Sequence, residues 1–158
     1  TRYEETLALA RERADTITER AAVARLGGLA MREEHFEEAQ DYYRRLFERE
    51  AISPTHDTPS IASMKVKLAE AEAARRLPGD HAKTARDALA QLETMGRAFG
   101  TYMARLSLAR IEAYSARYEA AEQAAVAVRD QAHAAGELLV EREANATLEK
   151  IAAMRAGN

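Results

Sequence analysis

The sequence predicts an all-α chain of about eight helices, and three observations carry that expectation. Ala, Glu, Arg and Leu dominate a 158-residue chain that is 47% hydrophobic and 31% charged, with only 7 Gly and 3 Pro, the composition of long helices. No stretch alternates apolar and polar residues at period two, and no Asn-Gly or Asp-Gly pair separates apolar runs, so strands and hairpin turns have no support. Turn residues and capping residues divide the chain into stretches of roughly 13 to 19 residues, the length of ordinary helices.

Taken in order, a first helix is expected over residues 2–14, ending where Asp15-Thr16 and Thr18 offer caps for the next. A hairpin over about 18–51 turns at the polar Glu33-Glu34-His35. The segment from Ile52 to Ser60 holds Pro54 and Pro59, with Thr58 as N-cap and Pro59 at the first helical position of the following hairpin, about 59–96. That hairpin turns at Pro78-Gly79-Asp80, with Asp80 as cap. Gly96 and Gly100 frame the next turn with Thr101 as cap, opening a hairpin over 101–135. Gly136 and Gly157 bracket a last helix over about 137–155. Links this short force neighbouring helices to run antiparallel.

An internal repeat organises these helices. Arg2-Tyr3-Glu4-Glu5-Thr6, His35-Phe36-Glu37-Glu38-Ala39 and Arg117-Tyr118-Glu119-Ala120-Ala121 match, with Tyr3 and Phe36 33 residues apart and Phe36 and Tyr118 82 apart, twice 41. A worn copy is then due near residues 77–82, where Gly79-Asp80-His81-Ala82 keeps a turn and a small residue without the aromatic.

Residues 26–54, LGGLAMREEHFEEAQDYYRRLFEREAISP, resemble the tetratricopeptide repeat over nearly a full unit. Leu26-Gly27 takes the large-small pair of the first helix and Ala30 the next turn. Phe36 opens the second helix, with Ala39 its small contact, Tyr43 and Leu46 its inner face, and Pro54 the late proline. A second copy, residues 105–132, places Leu108-Ala109, Tyr118, Ala121, Ala125 and Val128 likewise. In the middle copy Ala73, Ala85, Leu89 and Leu92 fit, while Glu72 stands where a large apolar residue is expected. The resemblance implies a right-handed superhelical solenoid of antiparallel helix hairpins over 1–158, closest in style to the arrays of bacterial signal-transduction ATPases and transcription regulators. Residues 2–14 would then be an orphan second helix and 137–155 an orphan first helix, as in a fragment of a longer array.

Small residues are needed where paired helices approach closely, the place assigned to Gly27, Ala73 and Ala109 with Ala39, Ala85 and Ala121 opposite. Gly27-Gly28 inside a helix costs on the order of 2 kcal/mol in propensity, which close packing would offset. Tyr3, Phe36 and Tyr118 are expected to fill the wedge between successive hairpins.

The chemistry-bearing residues point away from catalysis. A formal net charge of -3 with interspersed signs offers no basic stripe for a phosphate backbone. Cysteine is absent, excluding thiolate chemistry, and no apolar run approaches the length of a membrane span. His35 lacks a second histidine four residues away, and Asp130-His133 lacks a matching pair elsewhere. His56-Asp57 in the proline-bounded loop and His81 on a first helical turn read as solvated or structural, and paired carboxylates such as Glu37-Glu38 as solvated faces. No catalytic residue, metal or cofactor is expected, and a cytoplasmic location is the default expectation.

The resemblance implies a concave groove lined by the first helix of each hairpin. Its positions here are Arg25, Gly28, Met31 and Arg32, then Lys67, Glu70 and Ala74, then Met103, Ser107, Arg110 and Tyr114. Mildly basic with Met and Tyr among the charges, this surface suits a protein or peptide ligand with acidic groups. Met31 and Met103 fit inter-hairpin packing as well. The expected function is a protein- or peptide-binding module serving as sensor or docking segment of a larger bacterial regulator. The alternative is a scaffold that holds a homo-oligomer or multiprotein assembly through open solenoid ends. Neither nucleic acid nor membrane is expected as a direct partner.

Overall fold

The computed structural model describes residues 2–50 and 59–157, with side chains described for all of these except residues 2, 3, 16, 49, 50 and 59. Among the described residues there are eight α-helices and no strand: α1 (Arg2–Glu12), α2 (Thr16–Arg32), α3 (Phe36–Glu50), α4 (Pro59–Ala74), α5 (His81–Thr94), α6 (Ala98–Tyr114), α7 (Tyr118–Ala135) and α8 (Leu138–Ala156). They form two compact units, residues 1–57 and 58–158. None of the described helices is long and apolar enough to cross a membrane. The expected Thr58 cap, the Pro54 position and the His56-Asp57 pair lie outside the described residues, as does the side chain of Tyr3.

In the first unit α2 packs against both α1 and α3. Its core is Leu7 and Ala10 from α1, Val23, Leu26 and Ala30 from α2, and Ala39, Tyr43 and Leu46 from α3. Gly27 is required here: a Cβ built on it would stand 2.6 Å from the Tyr43 ring, which is itself buried. Gly28, next to it, meets nothing within 4 Å.

In the second unit α4, α6 and α8 lie side by side. Helix α5 packs on α4 and α6, and α7 on α6 and α8. Two apolar clusters result. One gathers Ala62, Val66, Ala69, Ala85, Leu92 and Ile111 from α4, α5 and α6. The other gathers Leu106, Ala109, Ala125, Val128, Val140 and Ile151 from α6, α7 and α8. Alanine dominates both, so helix axes can approach closely. Tyr118 packs against the second cluster and donates its hydroxyl to the Met154 carbonyl at 3.4 Å.

The same joint closes six helices. After α1, α2, α4, α5, α6 and α7 a residue adopts positive φ, namely Ala14, Glu34, Arg76, Gly96, Ala116 and Gly136, with Gly79 a second such residue in the α4–α5 link. The N–H after each of the six reaches back five residues to a helical carbonyl, as in Asp15 to Ala10, His35 to Ala30, Arg97 to Leu92, Arg117 to Glu112 and Glu137 to Ala132. This is the Schellman arrangement. Outside the α4–α5 link the residue that makes this long bond is also the N-cap of the next helix. Asp15, for example, receives the Thr18 N–H at 3.0 Å.

The joints set the repeat. Arg76, Gly96, Ala116 and Gly136 follow one another at intervals of 20 residues, so a two-helix unit in this part of the chain spans 40. This register corrects three expectations. Gly100 and Thr101 lie inside α6, which starts at Ala98 because Gly96 and Arg97 already complete the joint, and the Thr101 N–H bonds the Arg97 carbonyl. The large-small pair matching Leu26-Gly27 and Leu108-Ala109 is Leu68-Ala69, one helical turn before the expected place at Glu72-Ala73. Glu72 therefore replaces no apolar residue; it accompanies His81 at 3.4 Å across the hairpin. The aromatic position falls on Pro78, and the Pro78-Gly79 turn delays α5 to His81.

Candidate binding site

The 40-residue register places Lys67, Ser107 and Thr147 at equivalent positions of α4, α6 and α8, and likewise Glu70, Arg110 and Lys150. Both rows lie on the side-by-side helices, and their side chains meet. Arg110 donates to Glu70 twice, Nε to Oε1 at 2.5 Å and an Nη to Oε2 at 3.1 Å. Its other Nη donates to the Thr147 hydroxyl oxygen at 2.7 Å. Lys67 Nζ donates to Ser107 Oγ at 3.0 Å and to Glu70 Oε2 at 3.3 Å. Glu70, Ser107 and Thr147 are buried, while the Lys67 side chain keeps 27% of its surface in solvent and that of Arg110 12%.

Electrostatics tie this strip together. Burial pushes the Glu70 carboxyl upward, but the Arg110 and Lys67 charges and their hydrogen bonds more than reverse it, to about 2. Burial pulls the Lys67 ammonium below its ordinary range against the opposing pull of Glu70. For Arg110, burial is outweighed by Glu70, and the guanidinium is held above its ordinary value. Burial raises the Tyr114 phenol, and Lys150 stands 5.7 Å from its ring centroid. Cations in the strip, Lys67, Arg110 and Lys150, outnumber the carboxylates Glu70 and Glu143, the second of which is exposed at the strip's edge.

Of the residues expected to line a groove, Lys67, Glu70, Ser107 and Arg110 are brought into one bonded cluster, with Tyr114 near it. Ala74 is half-buried at the end of α4. Met103 is half-buried against the α6–α8 apolar cluster, a packing role. In the first unit Met31 is buried, whereas Arg25 and Arg32 are exposed and Gly28 is half-buried on α2. The sequence reading missed Thr147 and Lys150 because α8 was expected to stand alone; the 40-residue spacing from Ser107 and Arg110 is the signal that finds them.

Among the described residues no group of three or more His, Asp or Glu is placed to hold a metal ion. His81 is occupied structurally, with Nε2 2.8 Å from the Leu77 carbonyl and Nδ1 facing Glu72. A cleft of about 460 Å³ between the starts of α4 and α6, lined by Ser60, Ser63, Leu92 and Phe99 among others, lies away from the charged strip. No protein-family model matches the chain, and no curated protein matches it in sequence.

Proposed function

We propose that the chain is a tetratricopeptide-like solenoid that binds a protein or peptide carrying acidic groups, a sensor or docking segment of a larger cytoplasmic regulator rather than an enzyme. The observation that carries this reading is the polar strip across α4, α6 and α8. A buried ion pair contributes little net stability compared with an apolar replacement, so Glu70 and Arg110 need another reason to be there. Fixing a cationic surface of defined shape is such a reason. Arg110 is held in one orientation by Glu70 and Thr147, and Lys67 is held by Glu70 and Ser107. A rigid pair of donors loses less entropy when a carboxylate arrives. The 40-residue recurrence and the side-by-side arrangement of α4, α6 and α8 support the solenoid reading.

Panning a random peptide library against the chain tests this reading. Selected sequences should be enriched in Asp and Glu and should bind more weakly as ionic strength rises. Lys67→Glu should reduce affinity by about ten-fold or more while leaving the helical circular dichroism unchanged. Peptides without acidic bias, or binding indifferent to Lys67→Glu, would remove the proposal.

A further inference from the structure

We propose that Lys67 is an acylation site, the lysine of this chain that an acyl phosphate modifies first. The inference goes beyond the peptide-binding reading and does not need it; only its consequence for ligand binding rests on that reading.

The chain has four lysines, Lys65, Lys67, Lys83 and Lys150, and their surroundings differ. Two of the three Lys67 ammonium protons are held, one by Ser107 Oγ at 3.0 Å and one by Glu70 Oε2 at 3.3 Å. The third has no partner among the described residues. The side chain keeps 27% of its surface in solvent, so a small reagent can reach it from that side. Loss of the third proton leaves both hydrogen bonds in place and turns the nitrogen lone pair to the open direction. The surroundings favour that loss. Burial pulls the ammonium below its ordinary range and the Arg110 charge on α6 adds to this, while Glu70 on the same helix and Glu143 on α8 oppose it without reversing it. A lysine amine desolvated beside another cation is an activated nucleophile.

The other three amines lack this combination. Lys83 is exposed but bonded to Asp87 at 2.6 Å, which lifts its ammonium above its ordinary value. Lys150 stands 5.7 Å from the Tyr114 ring centroid, a contact made by the cation. Lys65 lies about 200° round α4 from Lys67, away from Ser107 and Arg110.

Charge decides the class of reagent. Lys67, Arg110 and Lys150 outnumber Glu70 and Glu143, so the strip draws anions, and acyl phosphates are small anionic acyl donors. The Lys67 amine attacks the carbonyl carbon and a C–N bond forms. The C–O bond to phosphorus's oxygen breaks, inorganic phosphate leaves with the electron pair, and the proton released from nitrogen passes to phosphate or water. The product is a neutral amide. The modified strip holds two cations against two carboxylates, so an acidic ligand loses the attraction that favours it.

The experiment treats the whole chain with acetyl phosphate and follows each lysine at early times by peptide mass spectrometry. At pH 7 Lys67 should be acetylated about five-fold faster than Lys83 or more, and faster than Lys65 and Lys150. Its lead should shrink toward about pH 10, where ordinary lysines also lose their protons. In guanidinium chloride the lead should vanish, because unfolding removes the surroundings that create it. A lysine favoured by exposure alone would keep its lead at every pH. Lys67→Arg should remove the fast site while keeping the charge. Acetylation led by Lys83, equal rates among the four lysines, or a lead that survives denaturation would overturn the inference. Preferential acetylation of Lys67 supports it even where acidic peptides fail to bind, so the two readings fail separately.

Discussion

Two adjacent glycines on α2 have opposite consequences. Gly27 lies against the buried Tyr43 ring, so a methyl group there must displace a packed aromatic side chain. Gly27→Ala is expected to destabilise the first unit by about 1–3 kcal/mol despite alanine's better propensity. Gly28 has open space around its Cα, and Gly28→Ala should stabilise by about 1 kcal/mol. Urea denaturation of the two variants separates them, and equal effects would contradict the packing described. Glu70 gives a second expectation at this scale. Its carboxyl is depressed from 4.5 in the unperturbed group to about 2 in the fold. Its stabilising contribution is therefore complete above pH 4.5 and is lost as pH falls toward 2. The loss is about 3 kcal/mol. Stability measured at pH 6 and pH 2.5 should show this fall, and Glu70→Gln should be less stable at pH 6 but flatter in its pH dependence.

At the scale of the element, four of the six left-handed joints use residues with a Cβ: Ala14, Glu34, Arg76 and Ala116. Each conformation costs roughly 1 kcal/mol or more, partly offset because glycine is more disordered when unfolded. Ala116→Gly should raise stability by about 0.5–1 kcal/mol, and Gly136→Ala should lower it by about 1 kcal/mol. Thermal unfolding would register both, and a loss on Ala116→Gly would refute the assignment of strain. These joints also mark the limit of what the residues announce. Asp15, Asp80 and Gly136 declare a cap or a stop through their own chemistry, and their structural roles agree with that. Ala116 and Arg76 do not, because helix packing on either side imposes their conformation. Thr101 has the chemistry of a cap but lies within α6, since Gly96 and Arg97 had already completed the preceding joint.

Across each unit as a whole, one helix is surrounded. Helix α6 touches α4, α5, α7 and α8, and its Leu106 is fully buried. Leu106→Ala should cost about 3 kcal/mol, more than truncating the half-exposed Leu89 of α5. Guanidinium denaturation gives the comparison, and equal losses would argue against α6 as the centre of the second unit. The helical class was legible from composition and punctuation, whereas the exact register was not. Three aromatic-led segments suggested intervals of 33 and 41, and the worn middle copy, with Pro78 at the aromatic position, allowed a slip of one helical turn. Lys67, Glu70, Ser107 and Arg110 could nevertheless be singled out together, because the tetratricopeptide resemblance assigns them to one face shared by the first helices of the hairpins. Their being bonded to one another was hidden, since the bonds join residues 40 apart whose partners share no motif.

A joint that serves as the end of one helix and the start of the next also acts as a phase lock. One residue inserted between Gly136 and Glu137 would turn α8 by about 100° relative to α7. The positions now filled by Val140, Ala144, Thr147 and Ile151 would receive Leu139, Glu143, Ala146 and Lys150, driving two charges into the apolar seam. The six-residue link from Arg75 to Asp80 has slack that the two- and three-residue links lack. Length variation is therefore expected to be tolerated there and selected against at the other joints, so that the spacing of the links, more than any side chain, keeps each helix facing its neighbours.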